Sequence, residues 1–81
     1  MKEKQIIKKL PAIIEVLRAV NKNDEIRIEF NPDHISITDN SIVYNWEVLE
    51  GMKTITDNPA ITWSVHYNDI WECLEIQLAY E

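Results

Sequence analysis

His66, Cys73 and Glu75 lie within ten residues of one another, with Trp71 among them, and they are the side chains best equipped for chemistry in this sequence. A thiolate beside an imidazole is the core of a cysteine nucleophile, and imidazole, thiolate and carboxylate are all zinc ligands. Reading Ala60 to Tyr67 and Ile70 to Tyr80 as two strands joined by a two-residue Asn68-Asp69 turn sets their faces. Thr62, Ser64 and His66 then share the outward face with Trp71, Cys73, Glu75 and Gln77, and His66 stands opposite Trp71. His66 is diagonal to Cys73, about 7 Å away, which is too far for the base to hold the thiol. No third residue orients the imidazole, and neither a Gly-rich loop nor a helix N-terminus offers oxyanion donors. Structural zinc sites draw four ligands from tight spacings such as CxxC, and this chain has one cysteine. Glu72 and Glu75 point to opposite faces and cannot share a substrate. The expectation is therefore a protein that is not an enzyme, with no metal and no cofactor. Cys73 reads as a small apolar filler, and His66 as a polar partner for the Trp71 indole.

Trp71 and the acids around it support a different use. Strand alternation turns Trp71 away from the apolar face, where a large aromatic among carboxylates has the composition of an interface anchor. The other reading of Trp71 is that a second layer, the crossover from Leu49 to Asn58, folds over it. Charge is segregated along the chain. The first 22 residues hold six bases against Glu3 and Glu15, a balance of +4, and the remainder holds Arg27 and Lys53 against twelve acids, a balance of −10. From Thr54 onward there is no Lys or Arg, only Asp57, Asp69, Glu72, Glu75 and Glu81. Such a surface steers a basic partner into contact. The predicted partner-binding residues are Trp71, His66, Asp69, Glu72 and Glu75. The predicted partner is a protein with a basic surface, including a nucleic-acid-binding protein held by mimicry of its ligand. Direct binding to nucleic acid is disfavoured by the net charge of −6.

The elements that must position these residues follow from periodicity. From Glu3 to Val20, Ile6, Ile7, Leu10, Ile13, Ile14, Leu17 and Val20 recur at three- and four-residue spacing, the stripe of an amphipathic helix. Pro11 lies on its polar side, where it kinks the helix around a core, or else a short leading turn precedes a helix that starts at Pro11. Asp24 to Phe30 alternates as a half-buried strand, and Asn31-Pro32-Asp33-His34 reads as a type I turn, with a left-handed backbone expected at His34. Phe30 then pairs with Ile35 and Ile28 with Ile37. A two-residue Asp39-Asn40 turn sets Ile37 opposite Ile42 and Ile35 opposite Tyr44, in a third strand from Ser41 to about Val48 with Trp46 and Val48 inward. Trp46, Leu49, Met52 and Ile55 also have helical spacing, although Gly51 and the Thr residues oppose it, so 46–58 is expected to be a short helix or a crossover. In the last hairpin Trp63 faces Leu74, Ile61 faces Ile76, and Val65 faces Glu72.

The predicted architecture is a single α+β domain over 1–81: one N-terminal amphipathic helix on one face of an antiparallel sheet of about five strands, in two layers. An 81-residue chain is of a size at which a partner or a second copy often adds stability. Cys73 has no internal partner, no secretory signal is visible, and no apolar run approaches the length of a membrane span. A cytoplasmic location is expected. The abundance of Ile, Asn, Lys and Glu with a single Gly fits an AT-rich coding sequence, that of a low-GC bacterium or one of its phages or mobile elements. Two function classes follow. One is a small acidic binding module, an inhibitor or regulator that docks on a basic surface. The other is a homodimeric assembly protein pairing through its long last strand, Ile70 to Tyr80.

Overall fold

A computed structural model describes residues 3–20, 26–39, 46–57 and 60–80. The order of elements is α1 (Glu3–Val20), β1 (Arg27–Phe30), β2 (His34–Thr38), α2 (Trp46–Thr56), β3 (Trp63–Asn68) and β4 (Cys73–Ala79). The described strands form one antiparallel sheet in the order β1-β2-β4-β3. The protein is α+β, with two helices and four strands among the described residues.

α1 runs unbroken through Pro11, which is exposed on the polar side. Ile6, Leu10, Ile13 and Leu17 are buried and stack down one face of it. They share a core with Ile35 and Ile37 of β2, Ile76 and Leu78 of β4, Val48 and Met52 of α2, and Ile61 and Tyr80. Both helices thus cover the sheet face that carries these isoleucines and leucines. The exposed chain ends of α1 Lys4 and Lys8 remain in solvent, as amphipathicity requires.

The β1–β2 hairpin has the expected register, Phe30 with Ile35 and Ile28 with Ile37. Its turn is closed by the Asn31 N–H donating to the His34 carbonyl at 2.9 Å. His34 itself is the first residue of β2, and the only described non-glycine residue with positive φ is Glu72, so the left-handed position expected at His34 is not used.

The third strand is the principal correction. Residues 40–45 lie outside the described residues, and from Trp46 the chain is helical. On the side of β2 away from β1, Ile35 and Ile37 face Leu78 and Ile76 of β4, where the sequence pattern predicts another strand, with Tyr44 and Ile42. Trp46, expected inward, is 72% exposed. Val48, also expected inward, is buried, and with Met52 and Thr56 it follows the four-residue spacing of a helix. The threonines that opposed a helix bond back to it: Thr56 Oγ1 donates to the Met52 carbonyl at 2.7 Å and Thr54 Oγ1 to that of Glu50 at 3.0 Å. Gly51 is where α2 meets α1, because a Cβ built there would stand 2.7 Å from Val16 Cγ1 and 2.9 Å from Cγ2. The missing side chain lets the helices approach.

The last hairpin is shifted by four residues from the expected register, with Trp63 opposite Leu78, Val65 opposite Ile76 and Tyr67 opposite Leu74. An even shift preserves faces, so the division into core-facing and outward side chains survives. β4 lies between β2 and β3. Both of its backbone edges are occupied, and the expected pairing of the last strand with a second copy is closed to it. Among the described residues, no helix is long and apolar enough to cross a membrane.

Candidate protein-binding surface

The outward face of the sheet is built in rows across the strands. One row reads Arg27, Thr38, Glu75, His66, and the next reads Glu29, Ser36, Gln77, Ser64. His66 therefore faces Glu75 and not Trp71, although it stays diagonal to Cys73, which now stands opposite Asn68. The His66 ring uses Nε2 on Ser64 Oγ at 2.8 Å. Glu75 is only 8% exposed, and its oxygens accept hydrogen bonds from Asn68 Nδ2 at 2.7 Å and Gln77 Nε2 at 2.6 Å. These amides satisfy a carboxylate that burial would otherwise penalise. Ser64 and His66 thus form a hydroxyl–imidazole pair whose nearest carboxylate is committed elsewhere. Among the described residues no group of His, Cys, Asp and Glu is arranged to hold a metal ion.

Asn68 organises the hairpin end. While its amide nitrogen holds Glu75, its Oδ1 accepts the Trp71 N–H at 2.9 Å, folding residues 69–72 into a four-residue loop. Glu72 closes that loop at φ 52, the left-handed backbone that returns the chain to the ladder at Cys73. Trp71 thereby leaves the strand, and the Arg27 guanidinium lies 4.0 Å from its ring centroid. Because β2 separates β1 from β4, this stack arches over β2, consistent with Thr38 being buried on a face that no described helix covers. Trp71 is 43% exposed, and α2, which the covering reading would have folded over it, packs Val48 and Met52 into the core on the other face of the sheet.

The five predicted contact residues are thus distributed unevenly. Asp69, Trp71 and Glu72 gather on the loop, His66 stands exposed on β3, and Glu75 is withdrawn beneath them as a support. The sequence reading passed over Ile70, which it placed at the start of a strand and which is 85% exposed at the loop's tip. It also passed over Arg27, whose position across the sheet from Trp71 depends on pairings no local pattern carries. The turn signal of Asn68-Asp69 reads as a two-residue turn, which keeps Ile70 and Trp71 on a strand.

A second polar cluster occupies the opposite end of the sheet. His34 Nδ1 is 2.7 Å from Asp33 Oδ1, and its Nε2 is 3.3 Å from Asn31 Nδ2, which also donates to Ser36 Oγ at 3.4 Å. The hydrogen bond from His34, aided by its charge when protonated, holds the Asp33 carboxyl below its usual range. The Tyr80 N–H donates to the Asp33 carbonyl at 3.2 Å, tying the end of the chain to this turn. No protein-family model, curated protein or solved structure matches the chain.

Proposed function

We propose that this chain is a small, non-enzymatic protein-binding module that acts through its β3–β4 loop. Ile70 and Trp71 are the apolar anchors, Asp69 and Glu72 the charged rim, and the partner is a protein offering an apolar pocket within a basic surface. Binding there inhibits or regulates that partner. The observation that carries the reading is Ile70, an isoleucine left 85% exposed on a loop that Asn68 holds in shape. A preorganised apolar tip loses little freedom on docking, which is what makes such residues binding anchors. The acids supply steering and orientation in preference to raw affinity. Mimicry of nucleic acid is the weaker version, because Glu75 is engaged within the protein and the outward rows around it are largely neutral.

The test is capture of a partner from host lysate on the immobilised protein, followed by titration with the purified partner. The double variant Ile70→Asp, Trp71→Ala should lose at least about tenfold in affinity. Lys53→Ala, on the exposed side of α2, should bind as the parent does. Salt should slow association more than it speeds release. Unchanged binding by the loop variant refutes this surface.

A further inference from the structure

Independently of the loop, we propose that two copies of this chain pair edge to edge through β3 about a two-fold axis at Val65. Among the described residues β1 and β3 are the sheet's edges. They are built differently. β1 is four residues long and carries Arg27 and Glu29, charges of the kind that discourage pairing. β3 is six residues long, Trp63-Ser64-Val65-His66-Tyr67-Asn68, with no Lys, Arg, acid, Pro or Gly. Its aromatic and β-branched residues favour a pleated neighbour. On the helix side Val65 is 39% and Tyr67 62% exposed, so apolar surface beside this edge still faces water.

The hydrogen-bond phase selects the register. The Ala79 N–H donates to the Thr62 carbonyl at 2.9 Å, so Thr62, Ser64, His66 and Asn68 turn their backbone groups toward β4. Trp63, Val65 and Tyr67 must turn theirs outward. Placing the axis at Val65 sets it against Val65 of the partner subunit and Trp63 against the partner's Tyr67, all of them residues with outward N–H and C=O groups. About six inter-chain hydrogen bonds form, two for each of three pairs. Side chains agree with this phase, giving Val–Val and Trp–Tyr pairs on the helix side and Ser64 beside the partner's His66 on the other. An axis at His66 instead would set two imidazoles side by side and push Trp63 against the partner's Asp69, outside the strand.

Charge favours a second copy as the occupant. At a net −6, two copies repel one another over much of their surface, and of the two described edge strands only β3 has no Lys, Arg, Asp or Glu. β2 also lacks Lys, Arg and acids, but it is already paired on both sides. A six-residue edge buries less than the roughly 800 Å² per partner of a standard interface, so the dimer is weak and reversible.

Sedimentation equilibrium of the full chain up to about 500 µM should show the mass rising toward two chains, the concentration range suited to so small an interface. Val65→Lys sets two ammonium groups face to face and should weaken association at least about tenfold. Its far-UV circular dichroism should match the parent, since Val65 is on an exposed edge. In a Cys73→Ala background, Val65→Cys should cross-link on oxidation, because paired Cα atoms there lie about 5.5 Å apart, within disulfide reach. Ser64→Cys, which is offset from its own copy, should not. A strict monomer at the highest concentration, or a Val65→Lys variant that associates as well as the parent, overturns the proposal. Equal cross-linking by both cysteines overturns the register and with it the axis.

Discussion

Replacing the only glycine, Gly51, by alanine sets two effects of similar size against each other, and the structure decides the sign. Gly51 lies inside α2, where alanine is favoured over glycine by about 1 kcal/mol. On propensity alone Gly51→Ala stabilises. The new Cβ, however, would stand 2.7 and 2.9 Å from the two methyls of Val16 on α1, well inside contact distance. Val16 is β-branched on a helix and has essentially one χ1 rotamer, so its methyls cannot swing aside cheaply. Overpacking of this kind costs about 1–3 kcal/mol, and the net expectation is a loss of about 1 kcal/mol. For a domain of this size that lowers Tm by about 4–8 °C.

The double-mutant cycle supplies the decisive arm. Val16→Ala removes both offending methyls, and the remaining Val16 Cβ position, at 3.4 Å, is ordinary contact. In that background Gly51→Ala should regain its propensity advantage and stabilise by about 1 kcal/mol, giving a coupling of about 2 kcal/mol between the positions. Urea and thermal unfolding of the four proteins measure it. Stabilisation by Gly51→Ala in the parent, or the same sign of effect in both backgrounds, would refute the close approach of α1 and α2 at this point.

Two further outcomes follow from the ends of the sheet. Glu75→Gln keeps the shape of the side chain but turns an amide donor toward Asn68 or Gln77, so unfolding free energy should fall by about 1–2 kcal/mol; no change would mean that the carboxylate is not the loop's support. Burial, then the negative charges of Glu3 and Asp33, raises the pKa of the Tyr80 hydroxyl above the ordinary tyrosine value of 10.0. A raised folded pKa means that stability is intact below pH 10 and is lost as pH climbs from there through the folded value. Tyr80→Phe should therefore be compared with the parent by Tm between pH 8 and 12, a range bracketing the ordinary tyrosine value of about 10. The alkaline fall should be shallower in the variant, and parallel curves would count against burial of the hydroxyl.

What the sequence could and could not reveal divides along the range of the interactions. The α1 stripe and the β1–β2 register are local, each determined within about twenty residues by periodicity and turn chemistry. Residues 46–48 satisfied two periods at once: Trp46 and Val48 extend an alternating run, while Trp46, Leu49 and Met52 have helical spacing. The tie was broken by tertiary structure, because β4 occupies the place beside β2 that a third consecutive strand would have taken. Gly51 and the threonines looked like objections to a helix only because their reasons, a close neighbour and bonds back to the backbone, are three-dimensional.

The candidate site shows the same division more finely. A two-residue turn at Asn68-Asp69 would have kept Trp71 on the ladder and spread the acids along the sheet. Asn68 can satisfy two partners at once, the Trp71 N–H and the Glu75 carboxylate, only if the loop is four residues long. That geometry requires a left-handed backbone at Glu72, which a non-glycine residue adopts at a cost of about 1–2 kcal/mol. Strain of this size persists where the surroundings over-determine it, and here two side-chain hydrogen bonds and the Arg27–Trp71 stack all fix the same loop. One carboxylate is drawn inward as a support and two stay exposed on the loop with Ile70 held out between them, while Glu47, Glu50 and Asp57 are exposed on and just after α2, so the described acids of the second half are divided between the hairpin end and the second helix.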